Sequence, residues 1–132
     1  MRRIVIALAA TTLLSSAAAQ AGPRPTGEEQ LAKMLEGREA GKPTSCISLS
    51  DTRNSTVIDK TALVYRSGGT IWVNRPKNAQ HLDSDDILVT YPTGGQFCHL
   101  DRVNTMERSG HFVTGFIALG DFVPYRRVEA RN

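Results

Sequence analysis

Ala62-Leu63-Val64-Tyr65-Arg66-Ser67-Gly68-Gly69-Thr70-Ile71-Trp72-Val73-Asn74 decides the fold class. Two runs of apolar, β-branched and aromatic residues flank a pair of glycines that admit the positive φ angles of a tight turn, so 62–74 reads as a β-hairpin. Pro76 ends it. Outward from this hairpin the chain keeps the same short rhythm. Cys46-Ile47-Ser48-Leu49 alternates, Thr56-Val57-Ile58 is rich in β-branched residues, and Asp86-Ile87-Leu88-Val89-Thr90-Tyr91 runs into a Pro92-Thr93-Gly94-Gly95 turn. Residues 96–103 form the next expected strand. Phe112-Val113, Phe116-Ile117-Ala118-Leu119 and Phe122-Val123 follow with glycines between them. About seven short strands with frequent turns predict a mainly β single domain, a small β-barrel or sandwich.

One N-terminal α-helix precedes the strands. Behind a stiff Gly22-Pro23-Arg24-Pro25 leader, Thr26 reads as an N-cap, with Glu29 three residues on completing a capping box. Leu31, Met34, Leu35 and Arg38 recur at helical spacing, and Glu28 and Glu29 lie at the positive end of the helix dipole. The helix is expected over 27–40, stopped by Gly41 and Pro43. Its narrow apolar stripe suits packing on its own domain.

The first 21 residues read as an address. Met1-Arg2-Arg3 is a short positive segment, 4–14 is apolar apart from Thr11 and Thr12, and small residues follow. This is the layout of a secretory signal peptide, with cleavage frames at Ala17-Ala18-Ala19 and Ala19-Gln20-Ala21. The apolar run, roughly 11 residues, falls short of the ~20 a membrane span needs, so no stable membrane insertion is expected after cleavage. The expected organisation is therefore a signal peptide over 1–21, leader and helix over 22–45, and a β domain over 46–132. The chain of 132 residues carries 16 basic and 13 acidic side chains; without Arg2 and Arg3 the balance is 14 to 13. A near-neutral domain offers no electrostatic case for nucleic acid as a partner.

Cys46 and Cys98 are the only cysteines. In an oxidising compartment two thiols of one small domain are expected to pair. Closing a loop of about 50 residues contributes roughly 4 kcal/mol in the chain-entropy model. No Cys-x-x-Cys occurs, and His99, adjacent to Cys98 on a strand, points to the opposite face.

An ordered set of segments carries a resemblance: Cys46-Ile47-x-Leu49, Val57-Ile58-Asp59-x-Thr61, Tyr65-Arg66-x-Gly68-Gly69, Trp72-Val73-Asn74, Asp85-Asp86-x-Leu88-Val89, Cys98-x-x-Asp101-x-Val103 and Leu119-Gly120-Asp121-Phe122-Val123-Pro124-Tyr125. Over 41–127 the chain is similar to a group of small, uncharacterised exported proteins of proteobacteria that share a domain of unknown function. The resemblance implies a Gram-negative periplasmic setting, or a secreted one, and brings no activity with it.

The densest polar cluster is His81-Leu82-Asp83-Ser84-Asp85-Asp86. His81, Asp83, Asp85 and Asp86 are the candidate metal ligands, because hard cations need several oxygens and only this stretch offers them. An EF-hand does not fit: counted from Asp83, Leu88 stands where glycine is needed and Gly94 where glutamate is needed. Zinc would need a second histidine at ligand spacing. The competing reading is a solvated loop whose aspartates close local turns. His99, Asp101 and His111 with Ser109 or Ser67 are the remaining ingredients of a nucleophilic site, but no Gly-x-Ser-x-Gly, His-Glu-x-x-His or phosphate-binding loop occurs. No catalytic residue and no cofactor is assigned. At the C-terminus Phe122, Val123 and Tyr125 predict a last strand with Pro124 at an edge or bulge. An edge ending in Arg126 and Arg127 would either accept a partner strand or be blunted against one. The expected function is a non-catalytic periplasmic binding or structural module acting on a protein or envelope component. The alternatives are a small metal-dependent or hydrolytic enzyme using 81–86, or a secreted inhibitor.

Overall fold

The computed structural model describes residues 22–129; the segment 1–21, on which the export signal was read, lies outside the described residues. Among the described residues the fold is mainly β and sandwich-like, with one helix and no closed barrel. In chain order the elements are α1 (Gly27–Met34), β1 (Arg38–Ala40), β2 (Cys46–Ser48), β3 (Ser55–Ile58), β4 (Ala62–Ser67), β5 (Thr70–Asn74), β6 (Ile87–Tyr91), β7 (Gln96–Cys98), β8 (Arg102–Met106), β9 (Val113–Ile117) and β10 (Phe122–Arg127). Short 3₁₀ turns cover Leu49–Thr52 and Ala79–His81. The strands form three antiparallel sheets: β1-β10-β5-β4-β3, the ribbon β2-β7, and β6-β8-β9.

The hairpin read from 62–74 is β4–β5, with Tyr65 opposite Trp72 and Ser67 opposite Thr70. Alternation along it loads both faces. Leu63 and Tyr65 look toward the two smaller sheets, where they join Ile47, Leu82, Phe97, Val103, Ile117, Leu119 and Phe122. Ala62, Val64, Ile71 and Val73 look the other way, onto Leu31 of α1. The five-stranded sheet is thus a middle layer, which is why β4 reads as a continuous apolar run rather than an alternating one.

The capping box forms as expected: the Thr26 N–H donates to Glu29 Oε2 (2.6 Å), and the Glu29 N–H donates to Thr26 Oγ1 (3.3 Å). The helix is shorter than expected, ending at Met34 rather than near 40. The Leu35 N–H is shared between the Leu31 and Ala32 carbonyls, and Gly37 takes the left-handed φ of +68° that turns the chain back. Arg38, expected on the helical stripe, instead opens β1 and donates from Nη1 to the Gly69 carbonyl (2.7 Å). The 22–45 segment therefore contributes a strand as well as a helix.

Two further expectations are corrected. The stretch 96–103 is not one strand: the Asp101 carboxylate accepts from the Cys98 N–H (2.7 Å) and the Thr93 N–H (3.1 Å) and breaks it into β7, a turn and β8. The C-terminal strand is not an edge, because β10 lies between β1 and β5. Pro124 is tolerated there because its nitrogen and carbonyl face the place where β1 has just ended. Its carbonyl accepts from the Gly41 N–H (2.7 Å), and no ladder donor is required of it on the β5 side. Arg126 and Arg127 are paired in register with Glu39 and Arg38, so neither form of the C-terminal edge reading survives.

Asn74 ties the middle sheet to the loop that leads into β10. It is fully buried, donates from Nδ2 to the Gly120 carbonyl (2.6 Å) and accepts at Oδ1 from the Gly120 N–H (3.0 Å). Asn74→Ala leaves both backbone groups without a partner and is expected to destabilise the domain by about 2–4 kcal/mol in urea unfolding, well beyond a surface substitution.

Candidate functional site

The two cysteines pair. Cys46 and Cys98 are directly opposed in the β2–β7 ribbon, with Cα atoms 4.0 Å apart, and they form a disulfide. The neighbouring His99 N–H donates to the Ser45 carbonyl (2.8 Å), so the cysteines occupy the close, non-hydrogen-bonded position of the ladder. A disulfide here is compatible with an extracytoplasmic location. Among the described residues, no helix is long and apolar enough to cross a membrane.

The acidic cluster borders an open cleft of about 560 Å³ between the Ala79–His81 turn and β9, with Lys60, His81, Asp83 and Asp86 on its walls. The loop is ordered by its own backbone. Asp83 Oδ1 accepts from the Asp85 N–H (2.8 Å), the Asp83 carbonyl accepts from the Asp86 N–H (3.2 Å), and Asp59 Oδ1 accepts from the Ser84 N–H (2.6 Å). Arg108 Nε donates to the Asp85 carbonyl (3.0 Å). Among the described residues, no group of three or more His, Cys, Asp or Glu gathers closely enough to hold a metal ion. Asp83 spends its carboxylate on an Asx turn, and the four candidates do not converge.

The ingredients of a nucleophilic site are dispersed. His99 Nδ1 meets Asp121 Oδ1 at 2.6 Å beside a small pocket, lined by Lys77, Leu100, Leu119 and Gly120, to which no serine, threonine or cysteine contributes. Ser67 donates instead to Asp51 Oδ1 (2.6 Å), Ser109 to Glu107, and His111 stands exposed in a turn with φ +54°. Asp101 is buried and holds the 98–101 turn. An oriented imidazole is present, but no hydroxyl or thiol lines its pocket for it to activate.

The outer face of β6-β8-β9 is a further candidate surface, one that no sequence motif marks. Register and pleat place three rows of side chains on it: Ile87, Met106 and Val113; Val89, Asn104 and Phe116; Tyr91 and Arg102. Val113 and Phe116 are 56% and 63% exposed, and Phe112 beside them is 60% exposed, too much for a sheet covered by its own chain. The inner face of the same sheet supplies Leu88, Val103 and Ile117 to the core. Its trace in the sequence is the unbroken Ile87-Leu88-Val89, apolar on both faces where a one-sided sheet alternates. Arg102 is the one charged side chain in these rows; its guanidinium stacks 4.8 Å over the Tyr91 ring.

Phe112 is presented by the β8–β9 loop, and Glu107 folds that loop. Its carboxylate accepts from the Ser109 hydroxyl and from the Ser109 and Gly110 N–H groups. The Ser109 hydroxyl first, then the two N–H groups, hold the Glu107 carboxyl below its ordinary value of 4.5. A lowered folded-state pKa means the loop is fully braced above the ordinary glutamate range and loses the brace as pH falls through the lowered value. The amide resonances of Ser109 and Gly110 are expected to titrate together in NMR spectra, with a midpoint below 4.5. A Glu107→Gln variant is expected to flatten both curves.

No protein-family model matches the chain, and no curated protein and no solved structure is similar to it at a significant level.

Proposed function

We propose that the chain is a non-catalytic binding module of the Gram-negative envelope that engages a protein partner through the outer face of β6-β8-β9. The observation that carries the reading is the exposure of Val113 and Phe116, each more than half exposed, on the face that also carries Ile87, Val89 and Met106. Apolar side chains exposed side by side on one sheet face, unlike single scattered ones, point to an interaction site. Arg102 gives the partner its chemistry: an apolar strip bordered by a carboxylate, which would meet a guanidinium already held flat on Tyr91. The disulfide and the resemblance of 41–127 to small exported proteins support the compartment. The dispersal of the serines and histidines supports binding over catalysis, and no geometric feature favours the metal-dependent, hydrolytic or inhibitor readings.

A photo-crosslinking side chain at position 116, irradiated in the native envelope, is expected to trap one recurrent partner, and the same group at Lys33 on α1 is expected not to. Arg102→Glu, on this exposed rim, is expected to cut the adduct at least tenfold with the thermal transition unchanged. Identical adducts from both positions, an adduct of twice the chain mass, or indifference to Arg102→Glu would each contradict the assignment.

A further inference from the structure

A separate, smaller cavity of about 160 Å³ lies on the opposite side of the three-stranded sheet, where β3 and β4 meet β6 and β7 beneath the Leu49–Thr52 turn. Leu63, Tyr65 and Phe97 form its buried floor, and the exposed Ser55 and Thr90 stand at its rim. No charged residue lines it. Tyr65 is 5% exposed and makes no side-chain hydrogen bond to any described residue. Among the described residues no side-chain oxygen or nitrogen is both shut off from solvent and without a partner, so the Tyr65 hydroxyl reaches open space, and this is the cavity that Tyr65 lines. Burial alone pushes the phenol well above its ordinary value, so the group is neutral and a donor at physiological pH.

A buried phenol held in place by Phe97 and Phe122 and left without a partner is an oriented donor awaiting an acceptor. A volume of this size accepts a single aromatic ring, and the wall offers it an apolar side, Leu63, Leu88 and Phe97, beside the hydroxyls of Thr52, Ser55 and Thr90. The walls add the second requirement. With no counter-charge, an ionised ligand would be desolvated without compensation. We propose that this cavity binds a neutral molecule of single-ring size that places its apolar body against Leu63 and Phe97 and its one oxygen against the Tyr65 hydroxyl. The site is independent of the outer face of β6-β8-β9, and either assignment stands if the other fails.

Phenol and toluene are the probes, titrated in parallel into the disulfide-bonded protein and followed by amide NMR. Saturable shifts are expected for both, grouped at Ser55, Leu63, Leu88, Thr90 and Phe97. Tyr65→Phe, which keeps the ring and the fold, is expected to weaken phenol about 3–10-fold, the range a single neutral hydrogen bond spans, while toluene stays within about twofold. Thr90→Trp at the exposed rim is expected to block both. Absence of saturation by either probe, or equal phenol affinity in the wild type and Tyr65→Phe, would overturn the proposal.

Discussion

Three aromatic rings hold this domain together. Tyr65 of β4, Phe122 of β10 and Phe97 of β7 meet with centroids 5.6–6.1 Å apart, tilted or edge-on, which joins the five-stranded sheet to the β2–β7 ribbon. The ribbon has three residues per strand and would be marginal alone. What keeps Phe97 in place is the bond one residue away, where Cys98 is linked across the ladder to Cys46. The disulfide therefore acts twice: it shortens the unfolded chain's freedom, and it fixes the strand that delivers the ring closing the core. Leu82, Val103, Ile117 and Leu119 then complete the same cluster and bring the third sheet with them.

The candidate surfaces follow from how this core is filled. With α1 covering one face of the middle sheet and the ribbon and third sheet covering the other, no element among the described residues covers β6-β8-β9 from outside. Its outward rows nonetheless carry Ile87, Val89, Met106, Val113 and Phe116. The ring cluster also leaves a gap where the Leu49–Thr52 turn, β4 and β6 converge without filling the space above Tyr65. Both features are consequences of three small sheets meeting at one joint rather than two large ones stacking.

Local chemistry was legible in the sequence wherever it was decisive. The Gly68-Gly69 turn, the Thr26 and Glu29 capping box and the Cys46–Cys98 pair were all read from residues a few positions apart or from compartment logic, and each appears in the structure. The failures have two causes. Arg38-Glu39-Ala40 has ordinary helical propensity and becomes a strand because β10 offers a free ladder. Pro124 reads as an edge residue, yet it lies inside a sheet at the point where its neighbour has left. Asp101 looks like a catalytic ingredient, whereas its two backbone partners make it the brace of a turn. For the strand and the proline a partner distant in sequence sets the outcome; for Asp101 it is a local turn that spacing alone does not reveal. The outer face of β6-β8-β9 belongs with the first two, since its exposure depends on what fails to cover it.

The measurement that tests this account most directly is hydrogen exchange on the protein with Cys46 and Cys98 reduced and blocked by a small alkyl group, compared with the oxidised form. If the ribbon is the joint, losing about 4 kcal/mol there raises exchange about 10³-fold in β4, β5, β8 and β10 together, as one cooperative unit. Acceleration confined to the ribbon, with those four strands protected as before, would contradict it.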